Sequence, residues 1–464
     1  MPSHKTVHPK VVPNMKLNNG RESIEIGFTD DKLSPHAGSA TFWSFLRPSG
    51  FIELLRSLLP HALPLSNNHI SPLDKALGFV QGLLCGARKL TQVAYLRRDP
   101  VVPEILGIKR VASQSALSRF FAVFDSVGRN SACFGPLWAW CIARLKPRAG
   151  GFSLDFDSTR LLHEDGHQEG VATGYTRLGI KPCQHPLLAV LEEAKLVAGF
   201  WLRPGNASCA NNIIAFTREV LGRLPSWLKV RVVRADSGFC DSGWLSFLEA
   251  QNLTYLVVAK LHRPLKTLLV KGLAWRDTEV RGTSVAEIWH KEQGWEKERR
   301  IVLIRHEVAA KKRPGGKALL EVPGYVFQAL VTNSTEPHTI ALWRDYNQRA
   351  GCECVIKELD GGFALPQLIL SKFWPTEAAL SFAVLAYNLV VLFEQKLGWN
   401  EQRVTIGTLR YWLFVTAGVL GNHARKKTLK FAVPPKHREW WQQVWQKIAS
   451  PFPNCNAVGH APAF

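Results

Sequence analysis

A change of hydrophobic period near residue 150 limits what this chain can fold into. From Thr41 to about Lys146 apolar residues recur at helical spacing, as in Leu73, Ala76, Leu77, Val80, Leu83 and Leu84. Ser113 stands where a capping residue would, ahead of a short apolar run ending at Phe121. Lys146-Pro147-Arg148-Ala149-Gly150-Gly151 then breaks the pattern. Phe152–Ser158 alternates as a strand, with Phe152, Leu154 and Phe156 on one face and Ser153, Asp155 and Asp157 on the other. Further strands are expected at His185–Leu191, Lys195–Leu202, Leu228–Ala235, Thr254–Lys260 and Tyr325–Thr332. Helices are expected at Asn211–Leu224, Asp241–Gln251 and Thr339–Leu359, and again from about Phe373. Residues 266–322 read as an extra β-rich insertion containing the basic stretch Lys311–Lys317. This succession predicts an α/β domain with a mixed sheet over 149–369, a helical region over 1–148 and a second helical region over 370–464. Residues 1 to about 40 are polar and suit an extended arm.

Charge narrows the partners. The 464 residues carry 58 Lys and Arg against 37 Asp and Glu, a net of +21. Most of the excess lies in the flanks: +10 over 1–150 and +7 over 370–464, against +4 between them. Such a surplus attracts polyanions, above all nucleic acid, by counterion release. No lysine-rich amphipathic helix or lipidation motif points to a membrane surface. The runs Ser381–Phe393 and Tyr411–Leu420 fall short of a membrane span and read as buried core helices. Nine scattered cysteines with no CxxC pair, and no apolar leader, fit a reduced, intracellular protein. The basic helices of the first region read as DNA-binding or as a solvated basic face; both readings stay open on these residues.

Three acids sit where α/β sheets build sites. Asp157 is on the first strand, and Asp236 ends a very apolar strand just before a Gly turn. Glu353 lies on a helix where Tyr346, Arg349, Glu353 and Lys357 recur three or four apart and so share a face. Carboxylates from separate elements suit hard divalent ions, and phosphodiester cleavage uses two such ions. Asp155, on the face of Asp157, is the rival ligand. Trp201, Trp295 and Trp343 are candidate stacking or packing residues. His163 and His167 read as surface residues.

DFDST (155–159), GYTRLGIKPCQHPLLAV (174–190), LRPGNAS (202–208), VRADSGF (233–239) and YNQRAGCECVIKEL (346–359) resemble the DDE transposases of bacterial insertion sequences. The similarity is to the IS-four-like superfamily, in its IS-thirteen-eighty group. It implies a ribonuclease-H-like fold with a β-rich insertion between the second and third acids. The spacings agree, 79 residues from Asp157 to Asp236 and 117 from there to Glu353. Carried over, Asp157, Asp236 and Glu353 are catalytic and hold two Mg²⁺ ions, for which Mn²⁺ can substitute. Tyr346, Arg349 and Lys357 contact DNA or phosphate. The family's usual basic residue seven positions after the Glu is Asp360 here, and Lys357 is the nearest substitute.

The implied activity is cut-and-paste transposition. The enzyme binds terminal inverted repeats of double-stranded DNA, cleaves the ends, by a hairpin route in some members, and joins them to target DNA. A homodimer would form the synaptic complex in a bacterial cytoplasm, associated with the nucleoid. The alternatives are a host nuclease of the same fold and a non-enzymatic DNA-binding protein derived from a transposase. The basic helices over 41–146 are expected to bind the terminal repeat without the catalytic domain.

Overall fold

The computed structural model describes residues 10–62, 68–163, 166–176, 178–260, 263–270, 272–308, 324–399, 403–423 and 426–450. The expected extended arm is an antiparallel ribbon of β1 (Lys10–Asn18) and β2 (Ser23–Phe28), followed by β3 (Lys32–Ser34). Seven helices come next: α1 (Ala40–Leu46), α2 (Phe51–Leu58), α3 (Pro72–Leu84), α4 (Leu90–Tyr95), α5 (Val102–Leu106), α6 (Gln114–Ala122) and α7 (Val127–Ile142). Ser71 and Ser113 cap α3 and α6, their hydroxyls accepting from the amides of Asp74 and Ala116. The apolar stripe read from the sequence on α3 is buried.

The α/β part begins at β4 (Phe152–Ser158), then β5 (Leu161–Leu162), β6 (Ala172–Thr176), β7 (Gly179–Gln184), β8 (Leu187–Leu191) and β9 (Leu196–Trp201). After α8 (Ile213–Arg223) come β10 (Val230–Ala235), α9 (Ser242–Ala250) and β11 (Tyr255–Val258). The insertion adds α10 (Arg263–Val270), β12 (Arg276–Asp277), β13 (Thr283–His290) and β14 (Arg299–Glu307) before β15 (Tyr325–Thr332). Its strands extend the main sheet, whose order is β12-β13-β14-β15-β11-β10-β4-β8-β9. β10 is parallel to both β4 and β11, while β8 is antiparallel to β4 and to β9. The sheet is therefore mixed, with β4 and β10 inside it. The basic stretch Lys311–Lys317 lies outside the described residues.

Thr339–Leu359 is not one helix but two, α11 (Thr339–Asn347) and α12 (Ala350–Gly362). Between them the chain tightens to i→i+3 bonds, Gln348 to Asp345, Arg349 to Tyr346 and Cys352 to Arg349. Gly351 lies against the ends of the Glu192 and Lys195 side chains, which a Cβ there would displace.

α13 (Phe373–Lys396) holds the parts together. Phe382 makes ring contacts with Phe79, Phe120, Phe121, Phe124 and Phe134 of the first helical region. Residues 41–146 therefore share a core with α13, and by themselves would expose those rings. On another side Asn388 closes the edge of β9: its amide accepts from Val197 N–H at 2.9 Å and donates to Val197 C=O at 2.8 Å. This helix is long and apolar enough, by length and composition, to cross a membrane, and its most apolar window is wholly buried in the chain.

The C-terminal region is not all helix, as the sequence suggested. α14 (Ile406–Leu409) runs into one π-type turn over Arg410–Phe414, leaving Tyr411 84% exposed. The chain then forms β16 (Gly418–His423) and β17 (Lys426–Phe431), and β16 pairs with β3. Val415, Thr416, Gly418, Val419 and Gly421 are poor helix formers, and β3 offers an open edge, so strand wins over the expected core helix. The last helix is α15 (Arg438–Ala449).

Candidate functional site

β4 turns Asp155 and Asp157 to the face of the sheet on which the α11–α12 junction lies. In register, Asp155 stands opposite Arg234 of β10. Both side chains are fully buried, and the guanidinium grips the carboxylate through Nε at 2.6 Å and Nη2 at 2.9 Å. Arg234 also donates to the Asp345 carbonyl at 2.6 Å, and Asp345 pairs with Arg231. Asp155 is thus engaged in a buried ionic chain, both of its oxygens bonded to Arg234.

Asp157 is the acid at the centre of the site. Its Oδ1 accepts from Ser158 N–H at 2.8 Å, and its Oδ2 pairs with Arg349 Nη2 at 2.9 Å. Burial raises its pKa to about 6 against the pull of Arg349, and the negative charges of Asp236 and Glu353 push in the same direction as burial. Asp236 and Glu353 therefore lie within electrostatic reach of Asp157. Asp236 follows β10 and caps the turn Ser237–Phe239, accepting from Gly238 N–H at 2.9 Å. Glu353 is exposed in the first turn of α12.

The rest of the helix stripe divides. Arg349 is buried and also donates to Phe156 C=O at 3.1 Å, so it faces the sheet, not solvent. Burial alone would lower its pKa; Asp157 first, then Tyr346, hold it above the usual value. Tyr346 is buried, and burial pushes its phenol up to about 12. Lys357 is exposed one turn beyond Glu353 and joins none of the site's ion pairs. Asp360 is half-buried, its Oδ1 unpartnered among the described residues, and burial raises it to about 6. Trp201, Trp295 and Trp343 each have packing partners: Phe216, Arg299 and His306 respectively. His163 is buried, contrary to its surface reading, at the end of β5 with its backbone N–H donating to Pro182 C=O, whereas His167 is exposed as read.

Three residues behind the acids were not assigned from the sequence. His185 is held neutral, its pKa lowered to about 3 by burial. Its Nδ1–H donates to Ala207 C=O at 2.7 Å, so its Nε2 accepts from the Ser158 hydroxyl at 2.8 Å. Arg203, buried, gathers the carbonyls of Ser208, Cys209 and Asn211 through Nη1. Arg234 is the third. The first two lie in or beside the quoted stretches 174–190 and 202–208, and a polar residue amid buried apolar strand text was the available signal. Together they fix the 203–211 loop, whose Cys209 touches Ser158 on one side and crowds Gly238 on the other.

Hard oxygen donors and mutual repulsion suit this trio to a divalent cation, whose charge would relieve the strain on Asp157. As placed, no three His, Cys, Asp or Glu side chains among the described residues stand close enough to hold one. Asp157 is still paired with Arg349, so binding needs that pair to loosen and Glu353 to close in. With Asp157 protonated below about pH 6, cation binding must expel that proton. Affinity for Mn²⁺ should therefore fall as pH drops through about 6. Calorimetry in buffers of different ionisation heat should read about one proton released at pH 5 and about none at pH 8. Equal release at both would exclude Asp157 as a ligand.

The family described as transposase DDE domain group 1 matches residues 17–451. No curated protein matches the chain by sequence. Among solved structures, a cryo-EM structure of piggyBac transposase in a synaptic complex with hairpin DNA is similar, at 13% identity and a TM-score of 0.42. The similarity covers 82% of this chain and 81% of that one.

Proposed function

The chain belongs to the transposase DDE domain group 1 family, and we propose that it binds terminal inverted repeats, cuts the DNA ends and joins them to a target. The supporting observation is that Asp157 of β4 lies within electrostatic reach of Asp236, at the end of β10, and of Glu353 on α12. DDE transposases use divalent metal ions, and here we assign two Mg²⁺ ions, or Mn²⁺, to these three acids. Bound there, the ions would activate the attacking oxygen and offset charge on the leaving one. The chain's own residues order the acids: Ser158 N–H orients Asp157, and the Arg203-held loop backs both Asp157 and Asp236.

The ribonuclease-H-like reading draws support from the strand order β9-β8-β4-β10-β11, with only β8 running against the other four. The IS-thirteen-eighty grouping, a hairpin intermediate, a synaptic homodimer and a bacterial cytoplasmic, nucleoid-associated setting belong to the same proposal. So do a DNA-binding role for 1–148, a catalytic domain over 149–369 and a supporting region over 370–464. Lys357, exposed beside Glu353, suits a phosphate contact. Tyr346 and Arg349, both buried, act as positioning residues for the acids. The test is cleavage and strand transfer by the full chain on duplexes carrying the inverted repeats that flank its gene. A nuclease would cut without joining, and a DNA-binding derivative would do neither.

Arg349→Ala should lower cleavage about tenfold or more, since 1.36 kcal/mol of lost stabilisation is one decade. Repeat binding in a gel-shift assay should change little. Without the guanidinium the Asp157 carboxyl holds its proton to higher pH, so the acid limb of the cleavage profile should move up. Arg349→Lys should restore part of both. An unmoved pH profile would reduce Arg349 to a packing residue.

A further inference from the structure

The ribbon of β1 and β2 is amphipathic, and its apolar side is bare. Its turn is local: Asn19 Oδ1 accepts from the N–H groups of Arg21 and Glu22, both at 2.9 Å, and Gly20 takes the left-handed conformation at φ 83°. The register sets Leu17 opposite Ile24 and Lys16 opposite Glu25. Side chains alternate along a strand, so Met15, Leu17, Ile24, Ile26 and Phe28 share one face. Lys16, Asn18, Ser23 and Glu25 share the other. The five apolar side chains are 38–67% exposed. None of them joins the apolar cores formed by the other described residues.

The ribbon is a sheet of two strands only. Thr29–Asp31 separate it from β3, which pairs with β16 in another sheet. A two-stranded hairpin by itself is marginal in water. Five large apolar side chains on one bare face form a patch of the kind that marks an interaction surface.

Charge selects what covers it. Residues 1–32 carry Lys5, Lys10, Lys16, Arg21 and Lys32 against Glu22, Glu25, Asp30 and Asp31, a net of +1 in a chain of net +21. A polyanion gains little from so neutral a segment. Two copies of the chain repel each other wherever their positive regions meet, and a neutral apolar face is where that repulsion is smallest. Such a face is also complementary to itself, as a two-fold interface requires.

We propose that the apolar faces of two β1–β2 ribbons pack on each other across a two-fold axis, so that the chain pairs with a second copy before it meets DNA. Stacked as two sheet layers, the ribbons bury on the order of 1,000 Å², the area a specific interface needs. This goes beyond the synaptic homodimer above, because the contact uses neither the three acids nor DNA.

The test is the mass of the full chain in solution without DNA. At micromolar concentration, light scattering should give twice the mass of one chain for wild type. Ile24→Lys and Ile24→Glu, both at an exposed position, should each give the mass of one chain with an unchanged thermal unfolding curve, because like charges would meet across the two-fold. Mixed in equal amounts, the two variants should return to the double mass. Amide exchange gives a readout without substitution: in wild type, protection of residues 23–28 should rise with chain concentration. A wild-type chain of single mass, variants that still pair, or a mixture that stays single would overturn the proposal. Protection at 23–28 that does not change with concentration would overturn it too, by placing the cover within the chain. So would wild type of single mass whose repeat binding is lost in both variants, which would make the face a DNA contact. No arm reads cleavage, so failure here leaves the reading of the acids untouched.

Discussion

Glu353→Gln should remove cleavage and strand transfer while leaving the fold and repeat binding intact. The side chain is exposed in the first turn of α12 and takes part in no ion pair that holds the structure. Glutamine keeps its shape, so the stability change should stay within about 0.5 kcal/mol, as for ordinary surface substitutions. The loss is one negative oxygen ligand, which a hard divalent cation requires. Cleavage should fall by roughly a thousandfold, or about 4 kcal/mol at 1.36 kcal/mol per decade. The same charge helps to raise Asp157 toward pH 6, so the variant should also lower that pKa.

Glu358→Gln is the control that separates chemistry from folding. Five residues on, Glu358 lies about 140° around the helix from Glu353. It faces Arg403 at 2.9 Å and accepts from Ile406 N–H at 2.8 Å. Its substitution should cost about 1–3 kcal/mol of stability through those hydrogen bonds, with normal cleavage per folded molecule. The decisive measurement is single-turnover cleavage of a pre-assembled end complex in Mg²⁺, alongside urea unfolding. Normal cutting by Glu353→Gln and none by Glu358→Gln would put the third ligand elsewhere. Asp157→Asn and Asp236→Asn should match Glu353→Gln in cleavage.

Local pattern carried much of this. The alternation Phe152–Ser158 put Asp157 on a definite face, and the apolar run before Asp236 marked a buried strand ending in a turn. Both survive in the structure because each depends on neighbours in sequence. What was illegible depends on partners far along the chain. Whether Arg234 meets Asp155 is a matter of register between β10 and β4, and no local spacing encodes it. Helical spacing put Arg349 on the face of Glu353, and the resemblance gave it a phosphate contact. The chain tightens to i→i+3 bonds around 348–349, and Arg349 lies buried against Asp157. Residues 418–423 become a strand because β3, near the other end of the chain, supplies the pairing edge.

Asp155→Asn should be the most destabilising single substitution among the acids of the sheet, although it spares the chemistry. Asp155 and Arg234 are both fully buried, joined by two short hydrogen bonds. Removing one member of such a pair leaves a buried charge uncompensated and costs about 3–5 kcal/mol. The amide worsens this, because its NH₂ would point donors at guanidinium donors. Asp345 cannot take over fully, since it already serves Arg231 and only Nη1 of Arg234 reaches it. Against a total stability of about 5–15 kcal/mol, the loss is a large fraction. Urea midpoints should therefore drop sharply, while cleavage by the folded fraction at low temperature stays near wild type. The double variant Asp155→Leu/Arg234→Met removes both charges at once and should recover part of the stability, because an apolar pair of similar bulk avoids the desolvation cost. A stable Asp155→Asn chain that has lost Mn²⁺ binding would contradict both arguments: Asp155 would then be the ligand, and Asp157 the residue that merely pairs with an arginine.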